Sequence, residues 1–275
     1  MYLLYSDETN FDPSDNVFFI YGGVVISAEL SKVLSDGIQE IRERKHISDE
    51  FFLKMNPKPE NLSHGEFIEV KRGIVQKAIE NGCILLLSLI HHEIASSPEE
   101  ARRHEINRIA YHFNCLLSRY CAHGLMLIDR FSDDQIDAHL RDKFSRGVSG
   151  LPYSANIRLD RILGYHYSAI GQSHFSSLVD IVIGSLRFSI NSYSKNELQN
   201  METAETILQM LAPLFYRSPE GGGKVSELSL FFSPKIIRLP TYRNRYKELK
   251  AFLASQGIEA EQEITDQNVV LRAVP

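Results

Sequence analysis

Four short apolar runs, Tyr2 to Tyr5, Val17 to Ile26, Cys83 to Ile90 and Leu125 to Ile128, are separated by stretches whose apolar residues recur at helical spacing. Cys83 to Ile90 is the most restrictive of them. It is short, unbroken and preceded by Gly82, which reads as a strand buried on both faces. Val17 to Ile26 is nearly continuous β-formers broken by Gly22 and Gly23, a pattern that suits a central strand with a bend or a close contact. It is expected to pair antiparallel with Tyr2 to Tyr5. Strands alternating with helices place the chain in the α/β class, a mixed sheet flanked by helices.

The helices declare themselves by their ends. Ser27 is expected to cap a helix from Ala28 to Arg44, whose Leu30, Leu34, Ile38 and Ile41 fall on one face. Ser63 with Glu66 forms a capping box for a helix that Gly82 stops. Ser97-Pro98-Glu99-Glu100 opens a long helix to Ala122, with Ile106, Ile109, Phe113, Leu116, Leu117 and Tyr120 as its stripe. His104, Glu105, Arg108 and His112 lie off that stripe and read as a solvated or salt-bridged face more readily than as a metal site. Ser132 with Gln135 resembles another capping box, for a helix through Phe144. Further elements are a strand from Ile157 to Tyr167 and a helix from His174 to Ile190. Between Glu50 and Ser63 the prolines impose a loop with a strand-like start at Phe51 to Lys54.

Beyond Asn191 the chain turns polar and a boundary is expected, giving a main domain over 1–195 and a small α+β extension over 196–275. That extension holds a helix from Met201 to Tyr216, strands at Val225 to Phe232 and Val269 to Val274, and a helix from Thr241 to Gln256. Gly221-Gly222-Gly223-Lys224 is not a phosphate loop, since Ser218 stands where its first glycine belongs and Val225 where its hydroxyl belongs. Arg243, Arg245 and Lys247, interleaved with Tyr242 and Tyr246, form the most basic stretch. Such a run is usually a solvated face, but it also suits phosphate contact with aromatic stacking.

Net charge is −5 over 275 residues, which argues against a broadly basic coat but leaves room for a local basic groove. The three cysteines match no zinc spacing and read as reduced thiols. The start lacks a signal-peptide pattern and no apolar run approaches membrane-spanning length, so a soluble cytoplasmic protein without membrane contact is expected.

Three carboxylates stand in unusual places. Asp7 ends the first strand beside Glu8, and strand alternation lets only one of the two face a given cleft; Asp7 is expected to face it and Glu8 to point elsewhere. The plainer reading makes Asp7 part of an Asx-type turn. Asp129 ends a buried strand, where open α/β sheets place ligands. Asp180 interrupts an apolar helix, and a buried carboxylate there must be paired, protonated or turned to a metal or wet cleft. Pairing with Arg187 is the structural alternative. Converging carboxylates bind hard divalent cations such as Mg2+ or Mn2+, and a two-metal site, its ions about 4 Å apart, can activate a water and stabilise the leaving oxygen in phosphodiester cleavage.

Tyr5-Ser6-Asp7-Glu8, Tyr21-Gly22-Gly23-Val24-Val25, the strand ending at Asp129 and Leu178-Val179-Asp180-Ile181-Val182-Ile183-Gly184 resemble the bacterial domain-of-unknown-function family numbered 3800, over residues 1 to 190. The resemblance implies a ribonuclease H-like fold with Asp7, Asp129 and Asp180 as metal ligands and Lys54 as a basic contact. Glu105 is its candidate fourth carboxylate, and Glu8 completes the set of candidate catalytic acids. Ser177-Leu178-Val179 replaces the family's glutamine-bearing approach to the late aspartate. The implied function is a metal-dependent nuclease acting on RNA or DNA in defence against foreign nucleic acid; from the basic and aromatic pattern of their own stretch, Arg243, Lys247, Tyr242 and Tyr246 are expected on the substrate. A partner protein or second copy is a further expectation. The competing class is a non-catalytic module of the same fold whose acids are structural.

Overall fold

The computed structural model describes residues 1–14, 16–131, 133, 135–149 and 156–267. Its core is a mixed six-stranded sheet in the order β5-β4-β1-β2-β3-β6. The strands are β1 (Tyr2–Thr9), β2 (Phe18–Ser27), β3 (Ile84–His91), β4 (Gly124–Asp129), β5 (Ile162–Ser168) and β6 (Leu230–Ser233). β1 pairs antiparallel with β2, as expected, and β2 antiparallel with β3; every other pairing is parallel, so β2 alone is reversed.

Helices cover both faces. On one side lie α1 (Ser31–Arg44), α2 (His64–Glu80), α5 (His174–Ser194), α6 (Met201–Leu211) and α7 (Pro240–Ser255), whose Leu34, Ile74, Ile183, Leu208 and Leu253 share one apolar core with Tyr5 and Leu87. On the other lie α3 (Pro98–Arg119) and α4 (Ile136–Arg146), which bury Ile109, Phe113 and Leu140 against Leu4, Tyr21 and Met126. Both faces of β2 and β3 are therefore dry, which is why their sequences are continuous apolar runs. Among the described residues no helix is long and apolar enough to cross a membrane.

The expected boundary at 195 is not a boundary in the sheet. β6 adds to the edge of β3, with Leu87 opposite Leu230, and α6 and α7 fill the same core as α5. The C-terminal segment is a continuation of the fold, because the β3 edge and the apolar face of α5 would be bare without it. The strand expected at Val225 to Phe232 is shorter, and the one at Val269 to Val274 lies outside the described residues.

Several helix starts differ from the sequence reading. Ser27 is the last residue of β2, opposite Tyr2, and α1 begins at Ser31 without a side-chain cap. The box at Ser63 and Glu66 forms with both bonds present. Ser132 lies outside the described residues, and Gln135 is itself the N-cap of α4, its amide held by the Asp133 carboxylate.

Candidate active site

β1 and β4 run parallel with Ser6 opposite Ile128, so the next residues, Asp7 and Asp129, stand side by side; Asp129 ends β4, whereas β1 runs on to Thr9 and Asp7 lies within it rather than at its end. Alternation sets their direction. Leu3 and Leu127 pack into the core on the α5 side, and Asp7 and Asp129, in step with them, face the same way. Ser6 and Glu8 turn to the α3 side. The Ser6 hydroxyl bonds the Tyr21 hydroxyl at 2.9 Å, and both Glu8 carboxylate oxygens accept from Arg102 of α3. Glu8 thus points elsewhere, as alternation requires, and is no part of the cleft.

Asp180 comes to these two acids on α5. One turn later Gly184 leaves room for the loop before α2: a Cβ there would stand 2.8 Å from the Met55 Cβ. With Met55 lying on the helix, its amide donates to Asp180 Oδ2 at 2.6 Å. The same contact carries the preceding Lys54 over the acids. Asp7, Lys54, Asp129 and Asp180 line one pocket of about 50 Å³, together with Tyr5, Ser168 and Ser176. Arg187, the alternative partner of Asp180, bonds the Thr9 hydroxyl at 3.3 Å, and among the described residues no ion pair joins it to Asp180.

Crowding of acids raises their proton affinity. Asp7 is pushed up to about 7, first by burial and then by Asp129, with Asp180 and Glu8 adding; the Glu8 amide, donating to Asp7 Oδ1 at 2.7 Å, opposes the shift. Asp129 is also raised by burial, against the Arg130 amide and Lys54. A buried acidic cluster of this kind favours positive charge, and its hard oxygen donors suit magnesium or manganese. Among the described residues, however, no three His, Cys, Asp or Glu side chains converge as a ready ligand set. Asp7 and Asp180 each accept from a backbone amide through a single carboxylate oxygen, Oδ1 and Oδ2 respectively. They share a pocket, and a carboxylate that accepts an amide at one oxygen keeps its other oxygen for a cation.

Other candidates lie elsewhere. Glu105 is buried on the opposite face of the sheet, one oxygen accepting from the Ser88 hydroxyl and the other without a partner, and burial raises its pKa. Its backbone position off the α3 stripe suggested solvent, but β3 and Ser233 of β6 cover it, and His112 is buried likewise. Tyr246 is fully buried: its hydroxyl accepts from the His91 amide at 2.6 Å and donates to the Ser233 carbonyl. It is core, not a stacking surface. Arg243 holds the Ile237 and Arg238 carbonyls and pairs with Asp266 at 2.7 Å. Tyr242 stacks on His91 at 4.8 Å, and Lys247 is exposed. None of these four lines the carboxylate pocket.

Sequence reasoning missed Ser168 in the pocket wall; Ser176, a small polar neighbour of Asp180 on the same helix, lines it too. The signal for Ser168 was its place at the end of a strand parallel to β4, since the C-terminal ends of parallel strands gather at one edge. No family model matches the chain, and no curated protein matches it.

Proposed function

We propose that the protein is a divalent-metal-dependent nuclease of ribonuclease H-like architecture. The observation that carries this reading is the gathering of Asp7, Asp129 and Asp180 in one pocket from two adjacent strands and a helix, with Lys54 beside them. The sheet supports it as far as a mixed α/β sheet flanked by helices goes, with β2 alone reversed and the helix that bears the third acid following β5. Kinship with the bacterial family numbered 3800 belongs to the same proposal.

Asp7, Asp129 and Asp180 would hold Mg2+ or Mn2+. When bound, the ion supplies the charge that makes water nucleophilic at neutral pH and stabilises the leaving oxygen of a phosphodiester. The chain's own part is positional. β1 and β4 fix two carboxylates in register, α5 brings the third, and Lys54 offers a cation to a substrate phosphate. A non-catalytic module of the same fold is the second reading, favoured by the amide-held carboxylates.

The two readings part on one assay. Labelled single- and double-stranded RNA and DNA are incubated with the protein in magnesium, manganese or a chelator. Cleavage of any of them that needs the metal supports the nuclease; intact substrates throughout leave the binding module.

A further inference from the structure

A groove of about 530 Å³ begins where the carboxylate pocket ends. The two share their walls residue by residue: Leu53 and Gly171 line the groove while their neighbours Lys54 and Ile170 line the pocket, and α5 gives Ser177 to one and Ser176 to the other.

Phe52 stands in it, 56% exposed. The ring is seated rather than loose. Gly171 has φ +86°, and a Cβ there would lie 2.5 Å from the ring, so Phe52 rests on bare backbone and keeps the rest of its surface open. Behind it Arg42 is 5% exposed; its guanidinium donates to the Ser48 and Phe51 carbonyls and fixes the segment that carries the ring. Arg42 lines the groove, and its Nε has no hydrogen-bond partner. The N-terminus of the 21-residue α5 opens on the same space at His174, where first-turn amides favour an anion. Asp49 is the single carboxylate among the described lining residues.

We propose that this groove receives a nucleotide of a single-stranded nucleic acid, its base stacked on Phe52 and its phosphate toward Arg42 and the first turn of α5. The inference rests on the nuclease reading and adds a substrate class to it. A base inside a duplex has both faces covered by its neighbours, so a protein ring stacks on unpaired or terminal bases. The groove therefore selects unpaired strands.

The chain contains no tryptophan, so Phe52→Trp installs a single tryptophan whose emission is excited selectively at the red edge, apart from the tyrosines. It is titrated in calcium with a short oligothymidylate, an oligouridylate, a hairpin duplex and heparin. The expected result is saturable quenching by one or both single strands and little by duplex or heparin, with Phe52→Ala weakening single-strand binding about tenfold. Because Phe52 is exposed, Phe52→Ala should melt with the parent. Equal quenching by duplex or heparin, or no quenching with unchanged affinity of Phe52→Ala, overturns the proposal. If the parent cleaves with metal while Phe52→Trp stays unquenched, the groove assignment fails and the nuclease reading stands. Quenching without metal-dependent cleavage by the parent does the reverse.

Discussion

Asp7 and Asp129 are adjacent because Ser6 pairs with Ile128 across two parallel strands, one residue short of both acids. A slip of one residue in either strand would turn one carboxylate to the α3 face, so the register that builds the core also builds the pocket.

That adjacency has a pH signature. Asp7 is raised to about 7 in the folded chain against a usual value near 3.8, so the folded state prefers the proton. Its stabilising contribution is complete below the unfolded value and is lost as pH rises through about 7. The metal-free protein should lose on the order of 2 kcal/mol between pH 5 and 8, a full shift being discounted for water in the pocket. Asp7→Asn should flatten the change and melt higher at pH 8. Thermal melts in chelator check this; a parent as stable at pH 8 as at pH 5 contradicts it.

Asp180→Asn should abolish cleavage and leave the fold intact. Its partner is the Met55 amide, which an asparagine oxygen also satisfies, and Arg187 is engaged with Thr9. A melting temperature within about 2 °C of the parent is expected, since no buried charge is stranded. A collapse in stability would return Asp180 to a structural role.

Glu8→Gln should do the opposite. Arg102 is buried between Phe11 and Phe131, at 4.2 and 4.1 Å from their ring centres, with Glu8 as its counter-ion. Removing one partner of such a pair costs about 3–5 kcal/mol. Denaturant unfolding should show that loss while activity per folded molecule survives; an unchanged midpoint would mean the pair contributes nothing.

Tyr246→Phe should destabilise by about 1–3 kcal/mol, because the His91 amide and the Ser233 carbonyl both lose the hydroxyl. Nucleic-acid affinity and its salt slope should stay as in the parent. Weakened nucleic-acid binding by the folded variant would restore this tyrosine to the substrate surface.

What was legible in the sequence was local. An apolar run ending in a carboxylate singled out Asp7 and Asp129, though only Asp129 ends its strand since pairing with β2 carries β1 on to Thr9, and an aspartate inside an apolar helix marked Asp180. Alternation also placed Glu8. Pairing between distant segments was not legible: β6 closing the β3 edge made 196–267 part of one fold, and the same closure buried Glu105 and Tyr246. Periodicity on one helix reports which face is apolar, not how many neighbours will cover the other. Lys54 came from resemblance alone, since its place depends on Met55 lying against Gly184.

The central claim is that Asp7, Asp129 and Asp180 hold a divalent ion together, and calorimetric titration with Mn2+ at pH 8 tests it most directly. The parent should bind manganese, and Asp129→Asn and Asp180→Asn should each weaken it at least about tenfold, the loss of one charged ligand being worth more than about 1.4 kcal/mol. Equal manganese binding by the parent and both variants would contradict the account.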